Sequence, residues 1–362
     1  MGLHFSLSEE FLSPQEQIIF SDYLKERGVD EEIWQLYPCF FKRASKWTRP
    51  HVLRVFKANE LIGAALLLKC NRVGRSLFRS PLLNNPVNWL KIPVLIWLKV
   101  GFGPEVIANP GFFKNAIDAD RTAREMIKYL QHNSIAIFVT DLQSNASHHV
   151  NATVFPYVDE GSVEVAGMKS VQEYIDEHRN LKKKIRSFKN KGGTIEIVRG
   201  RPEKKDQQVL IGCCDATMRK SFVHTPFQDA FLDVIDETLH CDSTAFIHIV
   251  AKMDGEIFGY HSFVETGSSL RMMHGAFNRD MKSTFHAYEN LILASLDFAI
   301  GQQLIKVYFG PVMNETKRRM MQISEPCATY FYSNNPVIRR IFALMYSKSQ
   351  LQNQKLMAFS SK

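Results

Sequence analysis

Val250-Ala251-Lys252-Met253-Asp254-Gly255-Glu256-Ile257-Phe258-Gly259 reads as a strand, a polar two-residue turn and a second apolar strand with an early glycine. Asp-Gly between apolar runs signals a hairpin, because both central residues of such a tight turn need positive φ. The same grammar occurs earlier, in Val55-Phe56-Lys57-Ala58-Asn59-Glu60-Leu61-Ile62-Gly63. Behind each hairpin come a further strand-like stretch, a helix and a short apolar strand. In the second half these are Ser269–Phe277, His286–Gln302 and Leu304–Phe309. In the first half the helix spans about Asn115–Leu130 and the strand Ile135–Val139. A repeated hairpin with a repeated order behind it is what internal duplication produces. The expectation is an α/β chain with mixed sheets in two related halves, residues 1–165 and residues 166–362, the second being the active unit.

Length and composition agree with two globular units. The chain has 362 residues, 45% of them apolar and 23% charged, which is too long for one typical core and too apolar for disorder. The N-terminus lacks the basic start and apolar run of a signal peptide. The apolar stretch Val87–Val100 is interrupted by Lys91 and Lys99, so it is too short to span a bilayer. It reads as a buried segment or, through Trp89, Trp97 and the lysines, as a membrane-surface patch. It lies in an irregular insertion, Ser80–Gly111. The six cysteines have no Cys-x-x-Cys spacing and no histidines at zinc-ligand intervals. A reducing cytoplasm and no metal site are expected. The net charge of +8 calls for an anionic partner, which nucleic acid, a phosphorylated co-substrate or a membrane surface would each satisfy.

Two helices announce their starts. Ser13-Pro14-Gln15-Glu16 is a capping box with proline at the first helical position, and Ser170 with Glu173 forms a second. The second helix is expected to run from Val171 to Asn190, burying Val171, Tyr174, Ile175, His178, Leu181, Ile185 and Phe188 at 3-4 spacing and stopping at Gly192-Gly193. Its C-terminal half carries Arg179, Lys182, Lys183, Lys184, Arg186, Lys189 and Lys191. These form either a solvated face that complements the helix dipole or an anion-binding edge for phosphate, RNA or anionic lipid.

The residues Arg179-Asn180-Leu181-Lys182-Lys183-Lys184-Ile185-Arg186, Gly259-Tyr260-His261-Ser262-Phe263, Gly275-Ala276-Phe277, Tyr288-Glu289-Asn290-Leu291, Val307-Tyr308-Phe309-Gly310-Pro311 and Asn314-Glu315-Thr316-Lys317 follow one another in a recognisable order. In that order the chain resembles the GNAT superfamily of acyltransferases, in the FemAB-like branch with two tandem GNAT-type domains. The resemblance covers about residues 169–320 and extends weakly to the first half. It implies N-acyl transfer from a thioester such as acyl-CoA, or from an aminoacyl-tRNA, to an amine on a small molecule or cell-wall precursor. In such a fold two parallel strands splay and expose backbone N–H groups to the donor carbonyl, which is stabilisation by preorganised donors. One departure stands out. The glycine-rich loop that cradles a pyrophosphate is replaced by Asn278-Arg279-Asp280-Met281-Lys282-Ser283-Thr284-Phe285-His286, where Arg279 and Lys282 offer charge but no glycine offers close approach.

Within that frame His261, Glu289 and Tyr308 are the candidates for proton transfer, and Tyr260, His274, Asn314 and Lys317 for substrate contact. Arg279 and Lys282 would meet the donor's phosphates, and Lys182, Lys183, Lys184 and Arg186 a larger anion. Tyr260 and His261 are neighbours on a strand and must point to opposite faces, one to the core and the other to a cleft or solvent. Each candidate also has a plainer role as a core, capping or surface residue. The competing function is a non-catalytic RNA- or anionic-membrane-binding protein on a degenerate acyltransferase fold.

Overall fold

The computed structural model describes residues 2–26, 48–70, 94–97, 112–133, 136–142, 151–156, 160–178, 180–220, 235–236, 238–278, 286–311, 315–325, 327–340 and 343–344. The first half supplies β1 (Leu3–Ser8), α1 (Pro14–Glu26), β2 (Thr48–Lys57), β3 (Glu60–Cys70), β4 (Val94–Trp97), β5 (Phe112–Phe113), α2 (Ala116–Asn133), β6 (Ala136–Leu142) and β7 (Thr153–Pro156). Then come β8 (Glu160–Glu164), α3 (Val171–Glu177), α4 (Leu181–Asn190), β9 (Gly193–Arg199) and α5 (Lys204–Lys220). The series ends with β10 (Phe246–Met253), β11 (Glu256–Thr266), β12 (Ser269–Phe277), α6 (Ala287–Gly301), β13 (Lys306–Pro311), α7 (Glu315–Met320), β14 (Gln322–Glu325) and β15 (Cys327–Tyr332).

The two hairpins are alike in atomic detail. Ala58 and Asn59 both have positive φ (50° and 67°), as do Asp254 and Gly255 (50° and 87°). Val55 pairs with Gly63 and Ala251 with Gly259, and in each hairpin the register slips by one residue immediately after that pair. The extra residue is a β-bulge, which increases local twist. The sheets built on these hairpins share one order. The first runs β1-β2-β3-β4-β6-β15-β7 and the second β9-β10-β11-β12-β13-β8-β14. Each contains a parallel pair at the same place, β4 with β6 and β12 with β13, and the other recorded pairs are antiparallel.

Sheet membership does not follow chain order. β8, from the end of the first half, lies between β13 and β14, while the C-terminal strand β15 lies between β6 and β7. The halves thus exchange equivalent strands. β15 brings Tyr330, Phe331 and Tyr332 into the interior at 1%, 0% and 1% exposure, and each aromatic side chain contributes about 2–3 kcal/mol by burial. The first core also takes in Ala245, Phe246 and Val264 of the second half.

Local sequence explains the helices. Ala119, Ala123, Met126, Ile127 and Leu130 put one face of α2 into the first core. The capping box of α1 forms as expected, with Ser13 N–H donating to Glu16 Oε2 (2.7 Å) and Glu16 N–H to Ser13 Oγ (3.3 Å). Arg54 of β2 grips the same carboxylate at 2.6 Å. The expected single helix over Val171–Asn190 is instead two. Its turn breaks at His178 (φ −114°, ψ 73°), whose ring stacks on Tyr174 and whose Nδ1 meets Tyr174 O at 2.9 Å, so the side chain competes with helix propagation. Ser170 makes no side-chain cap; Glu173 receives Lys169 N–H at 3.1 Å instead. Gly192 ends α4 at φ +76° as expected.

Strand exchange has a measurable consequence. Phe331→Ala should destabilise the protein by about 3–5 kcal/mol, and amide exchange should accelerate first in β6 and β7, far from residue 331 in sequence. Earliest loss of protection in β13 and β14 would contradict the exchange.

Candidate functional site

The second sheet opens where its parallel pair stops. β12 and β13 are joined at Ser269–Lys306, Leu270–Val307 and Arg271–Tyr308, after which β12 continues to Phe277 and β13 to Pro311 without pairing. Each strand has a reason to leave. In β12, Met272 faces Phe263 and His274 faces Ser262, so Met273 is a bulged extra residue. In β13, Gly310 has φ +68° and Pro311 has no N–H to donate.

The backbone lining this opening follows from alternation. Asn278 N–H bonds to Phe258 O on β11, so the main-chain groups of Ala276 and His274 share that direction, and those of Gly275 and Phe277 point toward β13. Lys317, on α7 and 9% exposed, donates from Nζ to Phe309 O at 2.5 Å. Residue 275 is necessarily small, since a Cβ there would lie 2.7 Å from the His261 ring.

α5 and α6 cover opposite faces of the sheet. Tyr260, Val250, Ile257 and Ala276 pack with Leu210, Cys213 and Cys214 of α5. His261 lies on the α6 side, with its ring 5.3 Å from Tyr288, 6.0 Å from Phe263 and 6.1 Å from Phe277. The expected division, one residue toward the core and one toward a cleft or solvent, is corrected here: Tyr260 and His261 are both 0% exposed. Among the described residues neither nitrogen of His261 has a hydrogen-bond partner. Burial, reinforced by the Lys317 charge, pushes its pKa down to about 3, so the ring is neutral at pH 7.

A row of polar residues crosses the α5 face. His248, Ser262 and His274 are paired neighbours on β10, β11 and β12, and His248 Nδ1 meets Ser262 Oγ at 2.7 Å. His274 stacks edge-on to Tyr260, and its nitrogens lack hydrogen-bond partners among the described residues. Burial lowers His248 to about 4 and His274 to about 3, the latter with further opposition from His248 and His261. Tyr308 lies beneath Arg271, whose guanidinium carbon is 4.0 Å from the ring centroid.

The remaining candidates separate. Glu289, 7% exposed, is ion-paired with Lys184 at 2.6 Å and lies 3.9 Å from His286. Lys184 therefore pins α4 to α6. Lys182 is paired with Asp176 at 2.6 Å on the surface, while Lys183, Arg186 and Lys189 are exposed. Arg279, Lys282, Asn314 and Arg179 lie outside the described residues, as does the Ser80–Gly111 insertion apart from β4. Among the described residues no helix is long and apolar enough to cross a membrane, and no cluster of metal-ligating side chains occurs.

No protein-family model matches the sequence, and neither does any curated protein. Solved structures do match in shape. FemX is 12% identical, with 94% of this chain and 99% of FemX covered at a TM-score of 0.56. L-PGS from Bacillus licheniformis is 10% identical, with 95% and 99% covered at 0.54. A tandem GNAT protein from the clavulanic acid biosynthesis pathway is 12% identical, with 92% and 99% covered at 0.50. The chain has a tandem GNAT fold. The parting of β12 and β13 after Arg271–Tyr308 corresponds to the splayed parallel pair that the GNAT resemblance implies.

Sequence reading missed Thr217 of α5, whose hydroxyl meets both Phe277 N–H and Phe277 O, and the Met273 bulge. Neither leaves a local signal, because one depends on a contact across 60 positions and the other on register. His248 and Ser262 were legible only as alternate residues of buried strands.

The three histidines generate a pH test. Their folded pKa values lie below the unfolded value near 6.5, so the unfolded chain binds more protons between those limits and stability falls as pH drops through that window. Near pH 5, unfolding should take up about three extra protons, and about one fewer in His274→Asn. Urea denaturation across pH 4.5–7.5 measures this; a flat profile would contradict buried neutral imidazoles.

Proposed function

We propose that the chain is an N-acyltransferase, moving an acyl or aminoacyl group from a thioester or an aminoacyl-tRNA to an amine in the opening between β12 and β13. The observation that carries this reading is the interrupted parallel ladder, with Gly275 backbone groups directed into the gap and His261 and Lys317 beside it. The amine nitrogen attacks the acyl carbon and the carbonyl electrons move onto oxygen. Gly275 N–H and the Lys317 ammonium then face the oxyanion, as preorganised charge does in other acyl transfers. The amine proton passes to a base, and the neutral His261 imidazole, packed against Gly275, fits that role. Collapse of the oxyanion breaks the C–S or ester C–O bond, and the leaving thiolate or alkoxide takes a proton. No covalent enzyme intermediate is required. The acceptor, a small-molecule or cell-wall-precursor amine, enters the opening from the α6 side, the face on which His261 lies.

The exposed Lys183, Arg186 and Lys189 favour a second reading, a non-catalytic binder of RNA or anionic membrane. A thermal-shift screen with acyl-CoAs and charged tRNAs distinguishes the two, since a ligand that binds only the folded state raises the melting temperature. An acyl or aminoacyl donor should stabilise the protein, and His261→Phe should retain that shift while losing about 10²–10⁴-fold in transfer. The phenyl ring is expected to fit, because among the described residues the His261 nitrogens have no hydrogen-bond partner to lose. If no donor shifts the protein, while Lys183→Glu with Arg186→Glu abolishes RNA or vesicle binding, the second reading holds.

A further inference from the structure

One part of the open edge of β12 is already filled. Phe277 N–H donates to Thr217 Oγ1 at 3.2 Å, and the same hydroxyl donates to Phe277 O at 3.1 Å. Both main-chain groups point away from β11, because the next residue, Asn278, bonds to β11. Thr217 thus offers one acceptor and one donor to a strand edge, which is what a residue of an added strand offers. Its position is set by packing: Leu210, Cys213 and Cys214 of the same helix are buried against β10, β11 and β12.

We infer that Thr217 determines which class of donor the opening accepts. This rests on the acyl-transfer reading and narrows it. An acyl group carried on an extended chain of secondary amides, such as the pantetheine arm of acyl-CoA, fills a gap one strand wide by pairing with the exposed edge. That pairing needs Phe277 N–H and C=O, and Thr217 holds both. Displacing two hydrogen bonds is a penalty of about 10–100-fold in affinity. An acyl group carried as a ribose ester, as on the end of a charged tRNA, brings no amide chain and meets the edge only at Gly275. The threonine hydroxyl therefore disfavours thioesters on pantetheine and leaves aminoacyl esters unhindered.

The test is calorimetric titration of acetyl-CoA into wild type, Thr217→Val, Thr217→Ala and Thr217→Ser, with amide exchange followed at Phe277. Removing the hydroxyl, in either the valine or the alanine variant, should tighten acetyl-CoA binding by about tenfold or more. The Phe277 amide should exchange faster in those variants and be protected again when acetyl-CoA is added, whereas serine should behave as wild type. Equal affinity across the four proteins, or tightening in the serine variant too, overturns the inference. Aminoacyl-tRNA transfer by wild type, measured alongside, separates the two levels. Transfer without tightening sinks only the role of Thr217. Tightening without transfer supports that role and turns the failure onto the aminoacyl-ester half of the reading.

Discussion

A parallel ladder that cannot continue past its third pair is the constraint on which the rest of the second sheet depends. Met273 adds a residue to β12, while Gly310 turns and Pro311 withholds a donor on β13. Two strands that part in a buried sheet leave polar backbone groups without partners, which costs free energy unless something satisfies them. The surrounding elements answer that demand at two points. Lys317 reaches Phe309 O from α7 and Thr217 reaches Phe277 from α5, so helices distant in sequence are tied to the two sides of one gap. Gly275, kept small by the His261 ring, is left with its main chain toward the opening.

The exchanged strands show how such a gap is kept from collapsing. β8 closes the far side of β13, and β15 does the same for β6 in the first sheet. Each half completes the other's sheet, and the first core includes residues from β10 and β11. A second sheet whose flank is supplied by the first half is harder to open as a unit, while the gap itself stays local. The duplicated hairpins, with the same turn and the same bulge, give both sheets the same starting twist.

Much of this was legible in the residues. Asp254-Gly255 and Ala58-Asn59 marked the turns because tight hairpins demand positive φ, and the order of elements behind them led to the tandem GNAT fold. Ser13 and Glu16 marked the first helix because their capping hydrogen bonds are local. What escaped notice depends on partners distant in sequence. The strand exchange leaves no trace in either strand's own pattern. The break at His178 depends on a side chain competing with a helix whose apolar spacing continues through it. The interior positions of Tyr260 and His261 were half legible: alternation put them on opposite faces, but only the packing of α5 and α6 shows that both faces are covered. Lys184 looked like one more surface lysine until Glu289, on another helix, was placed beside it.

The site is therefore defined by main-chain geometry more than by any side-chain motif, and donor binding is the event that should reveal it. The most direct measurement is hydrogen–deuterium exchange with and without a non-hydrolysable amide analogue of an aminoacylated adenosine. Acyl transfer in the opening predicts protection concentrated in residues 270–278 and 306–311, with Gly275 the most protected amide. Protection confined to the exposed basic face of α4, or to the first sheet, would contradict it.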